Sequence, residues 1–159
     1  MSNRLDYTKL SGNAAQALFN LEKVVGESAL DPKLKDLVRI RVSQLNGCTF
    51  CIDMHSKEAK IHGERELRLY HVAVWQESPL FDAREKAALG WAELLTRFQS
   101  TGVTDEEYER MLVTFSEKEL SDLTFVVTTI NAWNRLGVAF RTPLGKYDKV
   151  MGLDKAGLS

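Results

Sequence analysis

One helix-start signature recurs three times in the second half of this chain: Asp82 with Glu85, Thr104 with Glu107, and Ser116 with Glu119. In each, a short oxygen-bearing side chain can accept from the backbone N–H three residues on, while the glutamate reaches back to the cap's own N–H. A chain punctuated this way is committed to helices. The first half carries related signals. Asn13 can cap a segment with apolar residues at helical spacing from Ala14 to Val25, and Asp31-Pro32 is a cap followed by proline at the first helical position. Asn46-Gly47 reads as a left-handed stop, and helix-forming residues resume from Cys48 to about His62, closed by Gly63. Further helices are expected from Glu64 to Gln76 and from Asp82 to about Gln99. The stretch from Leu120 to Phe140 includes Thr124-Phe125-Val126-Val127-Thr128-Thr129-Ile130, which has β-branched strand chemistry. It is read as helix, because a capping box opens it, no turn residue interrupts it and a lone strand would have no partner. The expectation is a single all-α domain over residues 1–159, with an irregular tail over 143–159.

The two cysteines of the chain, Cys48 and Cys51, stand three residues apart, and His55 follows the second by four. On a helix, residues at these spacings project from nearly the same face. Two thiols and an imidazole then share one small volume at a helix N-terminus, where about half a positive charge favours an anion. No run of 18 apolar residues is present to span a membrane, and Met1 to Leu10 lacks the apolar core of a secretory signal. A cytoplasmic location is therefore expected, where a C-x-x-C pair reads as catalytic or metal-binding rather than structural. A zinc site would need two more ligands, and His62 and His71 do not continue any standard spacing. No metal or cofactor is expected. The net charge of −1, without a basic tail, gives no electrostatic footprint for nucleic acid.

Thiolate formation alone accelerates little. For a generic thiol moved from about 8.5 to about 6.5, the thiolate fraction at pH 7 rises about 25-fold. A Brønsted slope of about 0.45 takes back about 8-fold of it, leaving roughly threefold. Positioned proton transfer, worth about 10²–10⁴, must supply the rest. His55, one turn beyond Cys51, can take the thiol proton and return it to a leaving oxygen. Asp36, in the preceding helix, is the candidate carboxylate to orient it. The helix dipole favours Cys48 as the attacking thiol and proximity to His55 favours Cys51. Cys51 is taken as the attacker and Cys48 as the thiol that resolves its sulfenic acid into a disulfide.

The run Arg39-Ile40-Arg41-Val42-Ser43-Gln44-Leu45-Asn46-Gly47-Cys48-Thr49-Phe50-Cys51, followed by Met54-His55, resembles the active-site segment of alkylhydroperoxidase D-like proteins of the carboxymuconolactone decarboxylase superfamily. The resemblance extends over about residues 30–142. It implies an all-α fold, homo-oligomers (trimers or hexamers), and reduction of alkyl hydroperoxides or hydrogen peroxide by the C-x-x-C pair with a histidine and an acidic relay. It also implies Cys51 as the peroxidatic cysteine, and the peroxidase reading calls for an external dithiol reductant. Two positions depart from the family pattern: Asp36 stands where a glutamate is usual, and Phe50 where the best-characterised peroxidase has a second histidine. The alternatives are a redox-sensing or scaffold protein with little turnover, and a decarboxylase-type enzyme, which the cysteine pair argues against.

Overall fold

The computed structural model describes residues 3–98 and 102–158. They form nine α-helices, and no strand occurs among them: α1 (Tyr7–Leu10), α2 (Gly12–Gly26), α3 (Pro32–Asn46), α4 (Thr49–Ile61), α5 (Glu66–His71), α6 (Ala83–Thr96), α7 (Asp105–Leu112), α8 (Glu117–Phe140) and α9 (Asp148–Met151). Single 3₁₀ turns follow α5 and α9.

The local signals operate as chemistry predicts. Asp82, Thr104 and Ser116 each cap their helix with both halves of the box in place. Asp31 accepts from the Lys33 N–H with Pro32 behind it, and Gly47 takes a left-handed φ of 65°. The β-branched run lies inside α8. Its threonines are accommodated because the hydroxyls of Thr124, Thr128 and Thr129 donate to the carbonyls of Leu120, Thr124 and Phe125 one turn back.

Four expectations need correction. Asn13 lies inside α2, whose cap is Ser11 without a side-chain bond. The helix expected from Glu64 starts at Glu66 and ends at His71. Glu64 instead turns its carboxylate onto the Arg65 N–H and the Arg68 guanidinium. α6 ends at Thr96, and Gln99, where the sequence placed its end, lies outside the described residues. The tail is not irregular throughout. It forms α9 and a 3₁₀ turn, with Leu153 buried and Asp148 paired at 2.7 Å to Lys57 of α4.

α3 is the central post, with Leu37, Val38 and Val42 fully buried. One side packs into a cluster with Trp91 of α6, Phe115, and Leu123, Val127 and Ile130 of α8. The other packs against Leu69, Val72, Phe81 and Leu89. Both cysteines sit at the margin of the first cluster. No described helix is long and apolar enough to cross a membrane.

Candidate active site

The left-handed Gly47 ends α3 and aims the chain into α4. The Cys48 N–H donates back to the Ser43 carbonyl at 3.0 Å, closing the last turn of α3. Cys48 then becomes the cap of the next helix, its Sγ accepting from the Cys51 N–H at 3.3 Å. An oxygen normally fills this role. With sulfur in the cap, the thiol is fixed where the helix dipole favours its anion. Both cysteines are free thiols and each is 1% exposed.

α8 forms the wall behind them. Asn134, fully buried, donates to Ser43 Oγ at 3.0 Å and accepts from Asn46 Nδ2 at 2.9 Å. Its amide favours the ionised form of both thiols. One turn on, Gly137 leaves the space the sulfurs occupy. A Cβ there would lie 2.8 Å from Cys48 Sγ and 3.6 Å from Cys51 Sγ. Within the pair, the Cys51 thiol donates to Cys48 and, against the opposing effect of burial, holds Cys48 below the ordinary thiol range. The same bond, together with burial and the neighbouring Cys48 charge, pushes Cys51 up.

His55, one turn beyond Cys51, is buried, and its Nδ1 lies 2.6 Å from Glu58 Oε2. Burial pushes the Glu58 carboxyl up, but its bond to His55 and the charges of His55, Arg39 and His62 outweigh this and leave it lowered. An ionised Glu58 can only accept. Nδ1 thus carries a hydrogen, and in the neutral ring Nε2 presents a lone pair. That Nε2 is buried and has no hydrogen-bond partner. His55 lines a cavity of about 370 Å³ together with Cys51, Tyr7, Phe50, Trp133 and Tyr147. Burial, chiefly, pushes the Tyr7 phenol up to about 12, so it stays a donor at neutral pH.

Of the four residues the sequence singled out, Cys48, Cys51 and His55 come together. Asp36 does not join them as the partner of His55. It is fully buried, its Oδ2 lies 2.5 Å from His62 Nδ1, and its Oδ1 is 3.8 Å from Arg39. The reason is the antiparallel run of α3 and α4. A residue in the early part of α3 faces the end of α4, where His62 is the C-cap, rather than its middle. Burial, the largest influence, raises the Asp36 carboxyl despite His62 and Arg39. Glu58 was legible, since it stands three residues beyond His55 on one helix face. Tyr7 and Tyr147 were not, because they arrive from opposite ends of the chain. Among the described residues no cluster of three or more potential metal ligands occurs.

The carboxymuconolactone decarboxylase family model matches residues 13–94. The uncharacterized protein YdfG of Bacillus subtilis is 37% identical over 139 residues, spanning 87% of this chain and 95% of that one. Among solved structures, ATU0492 from Agrobacterium tumefaciens, a protein of unknown function and candidate AhpD antioxidant defence protein, is 37% identical with a TM-score of 0.86 over 90% of this chain and 98% of its own. A peroxidase-related protein from Ralstonia eutropha with an alkylhydroperoxidase AhpD core, 17% identical, has a TM-score of 0.78 over 92% of this chain and 78% of its own, a likeness of fold alone.

Proposed function

The chain belongs to the carboxymuconolactone decarboxylase family, in its AhpD-like superfamily, and from that premise we propose that it is a dithiol peroxidase acting on organic hydroperoxides. One observation carries the reading: Cys51 and His55, whose buried Nε2 has no hydrogen-bond partner, line the same cavity, with Cys48 bonded to Cys51 from behind. A volume of about 370 Å³ walled by aromatic and apolar side chains suits an organic group better than bare hydrogen peroxide.

In the proposed cycle, His55 Nε2 takes the Cys51 proton and the thiolate attacks the terminal peroxide oxygen. The O–O bond breaks, its electron pair leaves with the alkoxide, and His55 returns the proton to give the alcohol. Glu58 holds the imidazolium while it exists. The Cys48 thiolate then attacks the Cys51 sulfenic acid. The sulfur–oxygen bond breaks, the hydroxide takes up the proton that Cys48 gave up and leaves as water, and a disulfide remains for an external dithiol to reduce. The electrostatics that favour the anion on Cys48 suit it to the second step, while cavity access suits Cys51 to the first. Asp36 enters only as a neighbour that, with His62, sets the charge around Glu58.

Reducing surroundings, as in cytoplasm, fit two free thiols. Homo-oligomerisation belongs to the same proposal, supported by the exposed apolar Val24 and Phe125 bordering a groove between α2 and α8. Light scattering reads the assembly directly, and a monomer at working concentration removes that part. The function is tested by consumption of cumene hydroperoxide with dithiothreitol as reductant. Wild type should turn over while Cys51→Ser and His55→Ala do not. Equal rates in wild type and Cys51→Ser overturn the proposal.

A further inference from the structure

The two sulfurs do not share one opening. Cys51 lines the apolar cavity beside His55, whereas Cys48 lines a separate cavity of about 730 Å³ on the far side of Gly137, the glycine that borders both. The second cavity has different chemistry. Arg4 and Arg141 line it, Thr49 and Thr142 add hydroxyls, and no acidic side chain is among its lining residues. Arg4 is held in place there, its backbone N–H donating to the Phe140 carbonyl and its guanidinium to the Ala139 carbonyl, both at 3.0 Å. The N-terminus of α4, a helix of 13 residues, opens at Cys48 and Thr49, adding its positive pole to the two guanidinium groups.

We propose that this second cavity is the reductant site, and that it takes a small anionic dithiol which attacks the Cys48 sulfur of the oxidised pair. The inference rests on the reading above only in that the pair cycles through a disulfide. Thiol–disulfide exchange needs the attacking sulfur, the attacked sulfur and the leaving sulfur near one line. With Cys51 lining the first cavity and Cys48 the second, a thiolate arriving from the second meets Cys48, with Cys51 as its leaving group. The volume is that of a small-molecule pocket rather than a protein-docking face. The two arginines select carboxylates carried near the thiols.

The step balances as follows. One reductant thiolate bonds to Cys48 Sγ, the Cys48–Cys51 bond breaks, and Cys51 leaves with the electron pair and is protonated through His55. The reductant's second thiol then attacks its own sulfur in the mixed disulfide. Cys48 is expelled as thiolate and the reductant closes into a disulfide. Two electrons pass from the reductant to the protein; one proton reaches Cys51 through His55, and the proton released by the reductant's second thiol goes to the Cys48 thiolate. The pull on Cys48 toward its ionised form makes it the better leaving group in this second exchange.

The test uses full-length protein oxidised with diamide, so that it does not depend on peroxide turnover. Reduction by dimercaptosuccinate, a dianionic dithiol, is compared with reduction by neutral dithiothreitol in wild type and in Arg4→Gln/Arg141→Gln. The ratio of the two rates should fall by about tenfold in the double variant, and in wild type it should fall as salt is raised. With mercaptosuccinate, which has one thiol, fragmentation mass spectrometry should find the adduct on Cys48. A ratio indifferent to both arginines and salt, or an adduct on Cys51, overturns the inference. If diamide gives no disulfide, both this site and the peroxidase cycle fall. A charge-dependent reduction in a protein that consumes no hydroperoxide would retain the site and reject the peroxidase.

Discussion

Gly137→Ala sets two known effects against each other at the atom where they meet. In the interior of a helix, alanine is favoured over glycine by about 0.8–1.0 kcal/mol. At this position the new Cβ would stand 2.8 Å from Cys48 Sγ, where unstrained heavy-atom packing needs about 3.5–4.0 Å. That sulfur cannot swing freely, because it caps α4 and lies against Cys51 and Asn134. Overpacking of a filled site costs about 1–3 kcal/mol. The net effect is a loss of about 0–2 kcal/mol, and for a chain of this size each kcal/mol lowers Tm by about 2–4 °C. The functional effect is larger, since displacing a reacting atom by about 1 Å can cost about 10²-fold in rate. Differential scanning calorimetry reads the first number. Stopped-flow fluorescence of Trp133, which lines the cavity, reads the second during a pulse of cumene hydroperoxide. A variant with Tm raised by the full helix-propensity gain and an unchanged oxidation rate would refute the claim that Gly137 exists to seat the sulfurs.

Four further outcomes follow from the geometry. Glu58→Gln should slow oxidation by about 10²–10⁴, because the amide can donate to Nδ1 and hold His55 in the wrong tautomer. Asp36→Asn should leave the rate nearly unchanged and cost about 1.5–3 kcal/mol of stability, measured by urea unfolding; the reverse pattern would restore Asp36 to the relay. The Cys48 thiol is held low chiefly by the hydrogen bond from Cys51. Removing that donor must raise its pKa, so the pH midpoint for alkylation of Cys48 by iodoacetamide should be higher in Cys51→Ala than in Cys51→Ser, which keeps a donor. Equal midpoints would place the cause elsewhere. Leu153→Ala should destabilise by about 2–5 kcal/mol, because that side chain is buried beneath a tail the cavity depends on for Tyr147, Val150 and Met151; a loss below 0.5 kcal/mol by calorimetry, about the size of an ordinary surface change, would mean the tail is not anchored there.

What was legible in the sequence is what short-range chemistry decides. The three capping boxes, the proline at the start of α3 and the left-handed Gly47 each act within a few residues, so their consequences survive in any tertiary setting. The strand-like run of α8 was legible for the same reason, since its threonines bond within their own helix. The tail was not, because its order comes from burying Leu153 and pairing Asp148 with Lys57, more than 90 residues away in the chain. In the site, spacing along one helix found Cys48, Cys51 and His55. It failed at Asp36, where the answer depended on how far α3 and α4 overlap, and the carboxylate that meets His55 was on α4 itself. The aromatic walls of the cavity come from α1, α2, α4, α8 and the segment before α9, which no local pattern brings together.

The central claim is that Cys48 and Cys51 act as one redox unit beside His55. Mass spectrometry of the reduced protein after one equivalent of cumene hydroperoxide tests it most directly. The account predicts a loss of two hydrogen atoms, with the peptide holding Cys48 and Cys51 internally crosslinked and no oxygen retained. An unchanged mass, or an oxygen adduct that persists on a single cysteine with its neighbour still a free thiol, would contradict it.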